Sequence, residues 1–356
     1  MPPDQGSGWL GWDLGGAHLK AVQLDGAGRV MVVLQVPCPL WQGLGHLESA
    51  IDAVLGQLPQ RAVCHAVTMT GELADLFEDR AQGVASLVGC IARRFVGETI
   101  RIYAGPAGLL DPAAAMAAAP QVASANWMAS ASLAATRFPQ GLLVDIGSTT
   151  TDLVPFRDGR VSARGYADHE RLALGELVYS GVVRTPVMAL ARRVPWCGSW
   201  VPLMAEHFAT TADLYRLTGE LPDHADLMPS ADGRAKTPAA SAGRVARMLG
   251  LDGSAADLSG WRRVAEVLAE AQLRTLADAG TCIFSRGELA ADAPILGAGV
   301  GRFLAKRLAA RLGRAYLGFE SLFDGPPALA PDVADCAPAA AVARLALERA
   351  AAPPVT

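Results

Sequence analysis

Two turns constrain this chain more than any other feature: Asp13-Leu14-Gly15-Gly16-Ala17-His18-Leu19-Lys20 and Asp145-Ile146-Gly147-Ser148-Thr149-Thr150-Thr151-Asp152. Each follows an apolar run, opens with Asp, tightens through glycine or serine, and resumes an apolar pattern. That is the layout of a β-hairpin whose turn aims main-chain N–H groups at a phosphate. Gly15, Gly16, Ala17 and His18 in the first turn, and Gly147, Ser148, Thr149 and Thr150 in the second, are the expected phosphate-binding residues. A diphosphate brings more negative charge than N–H groups neutralise, so Asp13 and Asp145 are expected to hold Mg2+ or another divalent cation. The simpler alternative is Asp as a turn former, bonded to its own backbone. Hairpins about 130 residues apart predict two related halves facing each other across one cleft.

The pattern between the turns is α/β. Strands are expected at Trp9–Asp13, Lys20–Leu24, Arg29–Val36, Ala62–Met69 and Ile100–Ala104, with a helix over Leu47–Leu58, in a βββαβαβ order. The second half starts at Gly141, repeats the hairpin, and carries a Pro-, Asp-, Gly- and Ser-rich insertion over about 196–258 that reads as a loose cap. A helix over Ala265–Ala279, a strand over Ala293–Leu296, the glycine run Gly297-Ala298-Gly299-Val300-Gly301 and a helix over Arg302–Leu312 follow. The 356 residues suit two domains, each with its own core.

Composition excludes several partners. A net charge of −4 gives no electrostatic basis for binding nucleic acid or an anionic membrane. The uncharged stretch Pro112–Thr136 is long enough to span a bilayer, but its alanine, serine and proline content predicts a buried interdomain helix pair. The N-terminus lacks a basic region and an apolar core, so a cytoplasmic protein without a signal peptide is expected. Cys38, Cys64, Cys90, Cys197, Cys282 and Cys336 lack any C-x-x-C spacing and are expected to be buried, reduced thiols. The sequence leaves the oligomeric state open.

The two turns and the downstream glycine run resemble the actin, heat-shock-chaperone and sugar-kinase superfamily. The resemblance implies a two-domain actin-like ATPase (ribonuclease H-like) fold. Its first half would cover 1–140, with the helix 337–351 crossing back onto it, and its second half 141–336. It also implies that Lys20 reaches phosphate oxygens, and that Gly297, Gly299 and Gly301 correspond to the nucleotide motif against which an adenosine lies. The alternatives are a solvated strand lysine and close helix–strand packing at the glycines. Asp152 would orient water, act as a base, or cap its turn.

Further stretches are similar to a narrower family: Gly11–Ala21, Thr68-Met69-Thr70-Gly71-Glu72-Leu73-Ala74-Asp75, Ala125-Asn126-Trp127 and Leu174–Pro186. Together they resemble hydantoinase/oxoprolinase-related proteins of the tetrahydromethanopterin-linked one-carbon pathway in methylotrophic bacteria. Archaeal relatives of that family include a methanofuran-biosynthesis ether synthase. The resemblance implies a transferase of methanofuran or methylofuran synthesis, joining an aminomethylfuran diphosphate to a γ-glutamyltyramine- or tyrosine-like phenol with release of diphosphate. Asp13, Asp145 and Lys20 would neutralise the leaving group, and Glu72, Asp152 or His169 would take the phenol proton. ATP is the less favoured ligand. The first alternative is an ATP-dependent small-molecule kinase or hydantoinase/oxoprolinase-type enzyme. The second is a non-enzymatic, nucleotide-switched scaffold.

Overall fold

β1 (Trp9–Leu14) is buried along its whole length, which is why it reads as a near-continuous apolar run rather than an alternating one. The computed structural model that shows this describes residues 8–60, 64–252 and 257–352. Most of the N-terminus read for a signal peptide, the start of the strand expected from Ala62, and part of the 196–258 insertion lie outside the described residues. β1 turns through Gly15–Ala17 into β2 (His18–Leu24), which pairs with β3 (Val30–Pro37). α1 (Leu44–Leu55) leads to β4 (Cys64–Met69), parallel to β1, and α2 (Arg80–Arg94) leads to β5 (Thr99–Tyr103) and β6 (Leu109–Leu110). The sheet runs β3-β2-β1-β4-β5-β6. Leu10, Trp12 and Leu14 share one core with Leu47 and Ile51 of α1 and with Val84 and Leu87 of α2.

The expected helix pair over Pro112–Thr136 is three helices: α3 (Pro112–Ala117), α4 (Ala119–Val122) and α5 (Asn126–Arg137). The break before α5 places Ser124 in the left-handed region, at φ 52. Among the described residues no helix is long and apolar enough to cross a membrane.

The second sheet repeats the plan. β7 (Gln140–Ile146) and β8 (Thr151–Arg157) flank the second turn, and β9 (Arg160–Val161) pairs with β8. α6 (Asp168–Leu174) precedes β10 (Leu177–Val178). Next come the hairpin β11 (Arg193–Trp196) and β12 (Ser199–Pro202), then α7 (Thr211–Thr218), α8 (Pro238–Arg247) and the long α9 (Leu258–Phe284). β13 (Ile295–Ala298) runs parallel to β7, followed by α10 (Arg302–Arg311) and β14 (Tyr316–Gly318), giving the order β10-β8-β7-β13-β14. The chain closes with α11 (Ala330–Asp335) and α12 (Ala337–Ala351).

Two compact units result: Met1–Pro139 with Phe156–Val161 and Gly318–Thr356, and Gln140–Pro155 with Ser162–Leu317. Residues 318–336, expected in the second half, group with the first, because Asp324 O accepts from Val30 N–H and Asp335 O from Lys20 Nζ. The alanines of α12 allow close packing on β1. A Cβ added at Gly11 would sit 1.9 Å from Ala339 O.

Two further expectations are corrected. The described part of the insertion is not loose: its Leu214 and Val245 share a separate apolar core with the flanking Val194 and Trp261. Arg244 and Asp213, both buried, are joined at 2.8 Å beside Ser241. An ion pair with its partners in place tolerates such burial. None of the six cysteines is in a disulfide, but Cys197 and Cys282 are exposed rather than buried. Cys197 sits at φ 46 in the tight turn that joins β11 to β12.

Candidate functional site

In the first unit, backbone register brings Asp13 and Thr68 together at the C-terminal ends of the parallel strands β1 and β4, where α/β sheets present ligand-binding groups, with Lys20 beside Asp13 on antiparallel β2. Asp13 on β1 lies opposite Lys20 on β2 and Thr68 on β4. Its side chain is 7% exposed, and Oδ1 has no hydrogen-bond partner among the described residues. Burial pushes the Asp13 carboxyl up to about 6; the Lys20 charge opposes this and the nearby Glu72 adds to it. Thr68 Oγ1 and Glu72 Oε2 are likewise buried without a hydrogen-bond partner. Glu72 stands in the single tight helical turn Gly71–Leu73, where its Oε1 accepts from Ser124 Oγ at 2.7 Å and burial raises its carboxyl.

Lys20 does not project freely toward a ligand: its Nζ donates to Asp335 O at 2.7 Å. The first turn is held from within. Gly15 N–H donates to His18 O at 3.1 Å, and the carbonyls of Gly16 and Ala17 accept from Leu40 and Cys38 N–H. The side of Gly16 where a Cβ would stand is open, with no atom within 4 Å. His18 is half-buried at the start of β2.

In the second unit, Asp145 is half-buried on β7, opposite Ala298 of β13. The glycine run packs directly on this strand. Gly299 has φ +79, and a Cβ there would lie 2.4 Å from Asp145 Oδ1 and 2.3 Å from Ile146 O. Gly301 N–H donates to Ile146 O at 2.8 Å, and a Cβ at Gly297 would strike the Tyr316 ring at 2.5 Å. Each of the three glycines is therefore required by the protein's own packing. The first unit uses the same device: a Cβ at Gly71, just after β4, would lie 3.0 Å from Leu14 O. In both units a glycine beyond the neighbouring parallel strand lets the chain close onto the turn.

The second turn has an additional support that sequence reasoning did not identify. Gly147 O accepts from Val182 N–H at 3.0 Å, and Ser148 O accepts from Val183 N–H at 3.0 Å and Arg184 N–H at 2.8 Å. A Cβ at Gly181 would fall 2.5 Å from Ser148 C and Thr149 N. Gln272 Nε2 donates to Gly181 O at 2.9 Å, and Thr185 Oγ1 accepts from Gly181 N–H at 2.8 Å. The sequence signal was present in the block Leu174–Pro186, which marked the narrower family without revealing what it touches.

Asp152, a candidate base, is closed into an ion pair with buried Arg171 at 2.9 Å, while burial raises its carboxyl against that charge. His169 is exposed on α6. Glu176 is fully buried, accepts from Arg164 and Gly165 N–H, and pairs with Arg286. Of the three proposed bases, only Glu72 combines burial with an oxygen that lacks a partner.

Comparison with known proteins gives a consistent grouping. The family described as hydantoinase/oxoprolinase matches residues 64–345. A Methanocaldococcus jannaschii protein named (4-{4-[2-(gamma-L-glutamylamino)ethyl]phenoxymethyl}furan-2-yl)methanamine synthase is 30% identical over 244 residues, covering 68% of this chain and 72% of that protein. The Methanococcus vannielii protein of the same name is 32% identical over 108 residues, 30% of this chain and 48% of that protein. A nucleotide-free acetone carboxylase structure superposes with a TM-score of 0.56 at 12% identity, covering 94% of this chain and 70% of that one, a likeness of fold. The fold is the actin-like α/β type.

Proposed function

Because the chain belongs to the hydantoinase/oxoprolinase family, we propose that it is a transferase of methanofuran- or methylofuran-type cofactor synthesis. It would form the aryl ether between a furan methylene and a phenol. The phenoxymethylfuran in the name of the archaeal relatives motivates the product class. The observation that carries the reading is the buried Asp13 oxygen without a partner, next to Lys20 and in the field of Glu72. A carboxylate kept out of water at such a position is costly unless a proton or cation joins it.

The chemistry follows from the groups present. The bond between the furfuryl carbon and the diphosphate oxygen breaks with its electron pair going to diphosphate, and the electron-rich furan stabilises the carbon. The phenol oxygen forms the new bond to that carbon, and its proton passes to Glu72, whose raised pKa suits a base for a phenol. In the first unit, the oxygens of Asp13 and Thr68 that lack a hydrogen-bond partner fit a hard divalent cation; in the second unit, Asp145 is a donor of the same kind. When bound, Mg2+ would offset the negative charge that develops on the leaving diphosphate. Taken by themselves, the N–H groups and hydroxyls of Ser148, Thr149 and Thr150 in the second unit are of the kind that hydrogen-bond phosphate oxygens.

The test is incubation with the aminomethylfuran diphosphate, a tyramine- or tyrosine-type phenol and Mg2+, read by mass spectrometry for the ether. Absence of the ether with every such acceptor would overturn the reading. A second expectation concerns Lys20. Lys20→Ala removes the charge nearest Asp13 and should slow diphosphate release by about tenfold to a hundredfold. An unchanged rate would show that Lys20 serves only to tie β2 to Asp335.

A further inference from the structure

We propose that Arg184 is an anion-anchoring residue of the second turn and supplies a guanidinium to the diphosphate group. This rests on the diphosphate reading above and assigns a residue that the motifs did not indicate. Arg184 N–H donates to Ser148 O at 2.8 Å, which fixes its backbone against the second turn. The neighbours Val183 and Thr185 are buried, while Arg184 is exposed. Val183 O and Thr185 O accept from Ala212 and Thr211 N–H, which holds this short stretch on both sides.

The other guanidinium groups of this region are already committed. Arg171 pairs with Asp152, Arg164 with Glu288 and Arg286 with Glu176, and Arg302 donates to Gly299 O. Among the described residues, the Arg184 guanidinium has no hydrogen bond or ion pair. The turn thus presents hydroxyls and N–H groups together with one uncommitted cation whose backbone is anchored to it at Ser148 O. A planar guanidinium can bind two oxygens of a phosphoryl group at once, which an ammonium cannot do.

The experiment is calorimetric titration of inorganic diphosphate with Mg2+ into the full chain. The wild type should bind, and Arg184→Ala should weaken binding by about tenfold to a hundredfold. Arg184→Lys should recover part of the loss, because it keeps the charge but not the fork. Arg192→Ala, which removes an exposed charge beside β11, should leave affinity unchanged. Wild-type affinity in Arg184→Ala, or an equal loss in Arg192→Ala, would overturn the assignment while leaving the diphosphate reading intact. Failure of the wild type to bind diphosphate would overturn both.

Discussion

Asp13→Asn should lower turnover by about two to four orders of magnitude and, in a chelator at neutral pH, make the protein more stable. The two effects have one cause. Asp13 is buried, and its carboxyl titrates near 6 rather than at the ordinary 3.8. Between those values the native state holds a proton that the unfolded state has released, so stability falls as pH rises through this window. The loss is on the order of 3 kcal/mol and is complete above about pH 6. The neutral amide removes that penalty, and its near-isosteric shape leaves the packing of β1 intact. Thermal unfolding in chelator from pH 4 to pH 7 should therefore decline for the wild type and stay flatter for the variant. Adding Mg2+ should raise the wild-type midpoint and leave that of the variant nearly unchanged. A variant with wild-type turnover would make Asp13 a turn former only.

The second large effect is expected at Gly181. An alanine methyl would lie 2.5 Å from Ser148 C and Thr149 N and 2.6 Å from Gly147 O, all backbone atoms that no rotamer change can move aside. The second turn must shift, at a cost of about 3 kcal/mol. Displacement of the groups proposed to contact the substrate by even part of an ångström should reduce kcat by about a hundredfold. Gly45→Ala, where an added methyl meets no atom within 4 Å, provides the comparison and should leave both melting temperature and kcat close to wild type. Equal behaviour of the two variants would remove the clamp over 179–185 from the account.

Most strands were legible because their signal is local. Trp9–Leu14, Thr151–Arg157 and Ile295–Ala298 are short apolar runs bounded by Asp and Gly, and both turns are readable from their own residues. The matched positions of Asp13 and Asp145 were legible for the same reason. What the sequence concealed depends on contacts made far along the chain. Nothing around Lys20 indicates that its ammonium is held by Asp335 O, more than 300 residues away. Nothing around Asp152 indicates the ion pair with Arg171. The glycine run 297–301 was readable as a motif, but its role in packing on Ile146 and Tyr316 required the sheet order. The insertion read as loose because it is rich in Pro, Asp, Gly and Ser, a composition that does not reveal that Asp213 and Arg244 pair with each other in its interior.

The central claim is that diphosphate leaves from the furan substrate without consumption of ATP. It is tested most directly by quantifying inorganic diphosphate and ADP in one reaction containing the aminomethylfuran diphosphate, a phenolic acceptor, Mg2+ and added ATP. The account predicts one diphosphate released for each ether formed, with no ADP and no loss of rate when ATP is omitted. Stoichiometric ADP with no inorganic diphosphate would contradict it and place the protein among ATP-dependent enzymes.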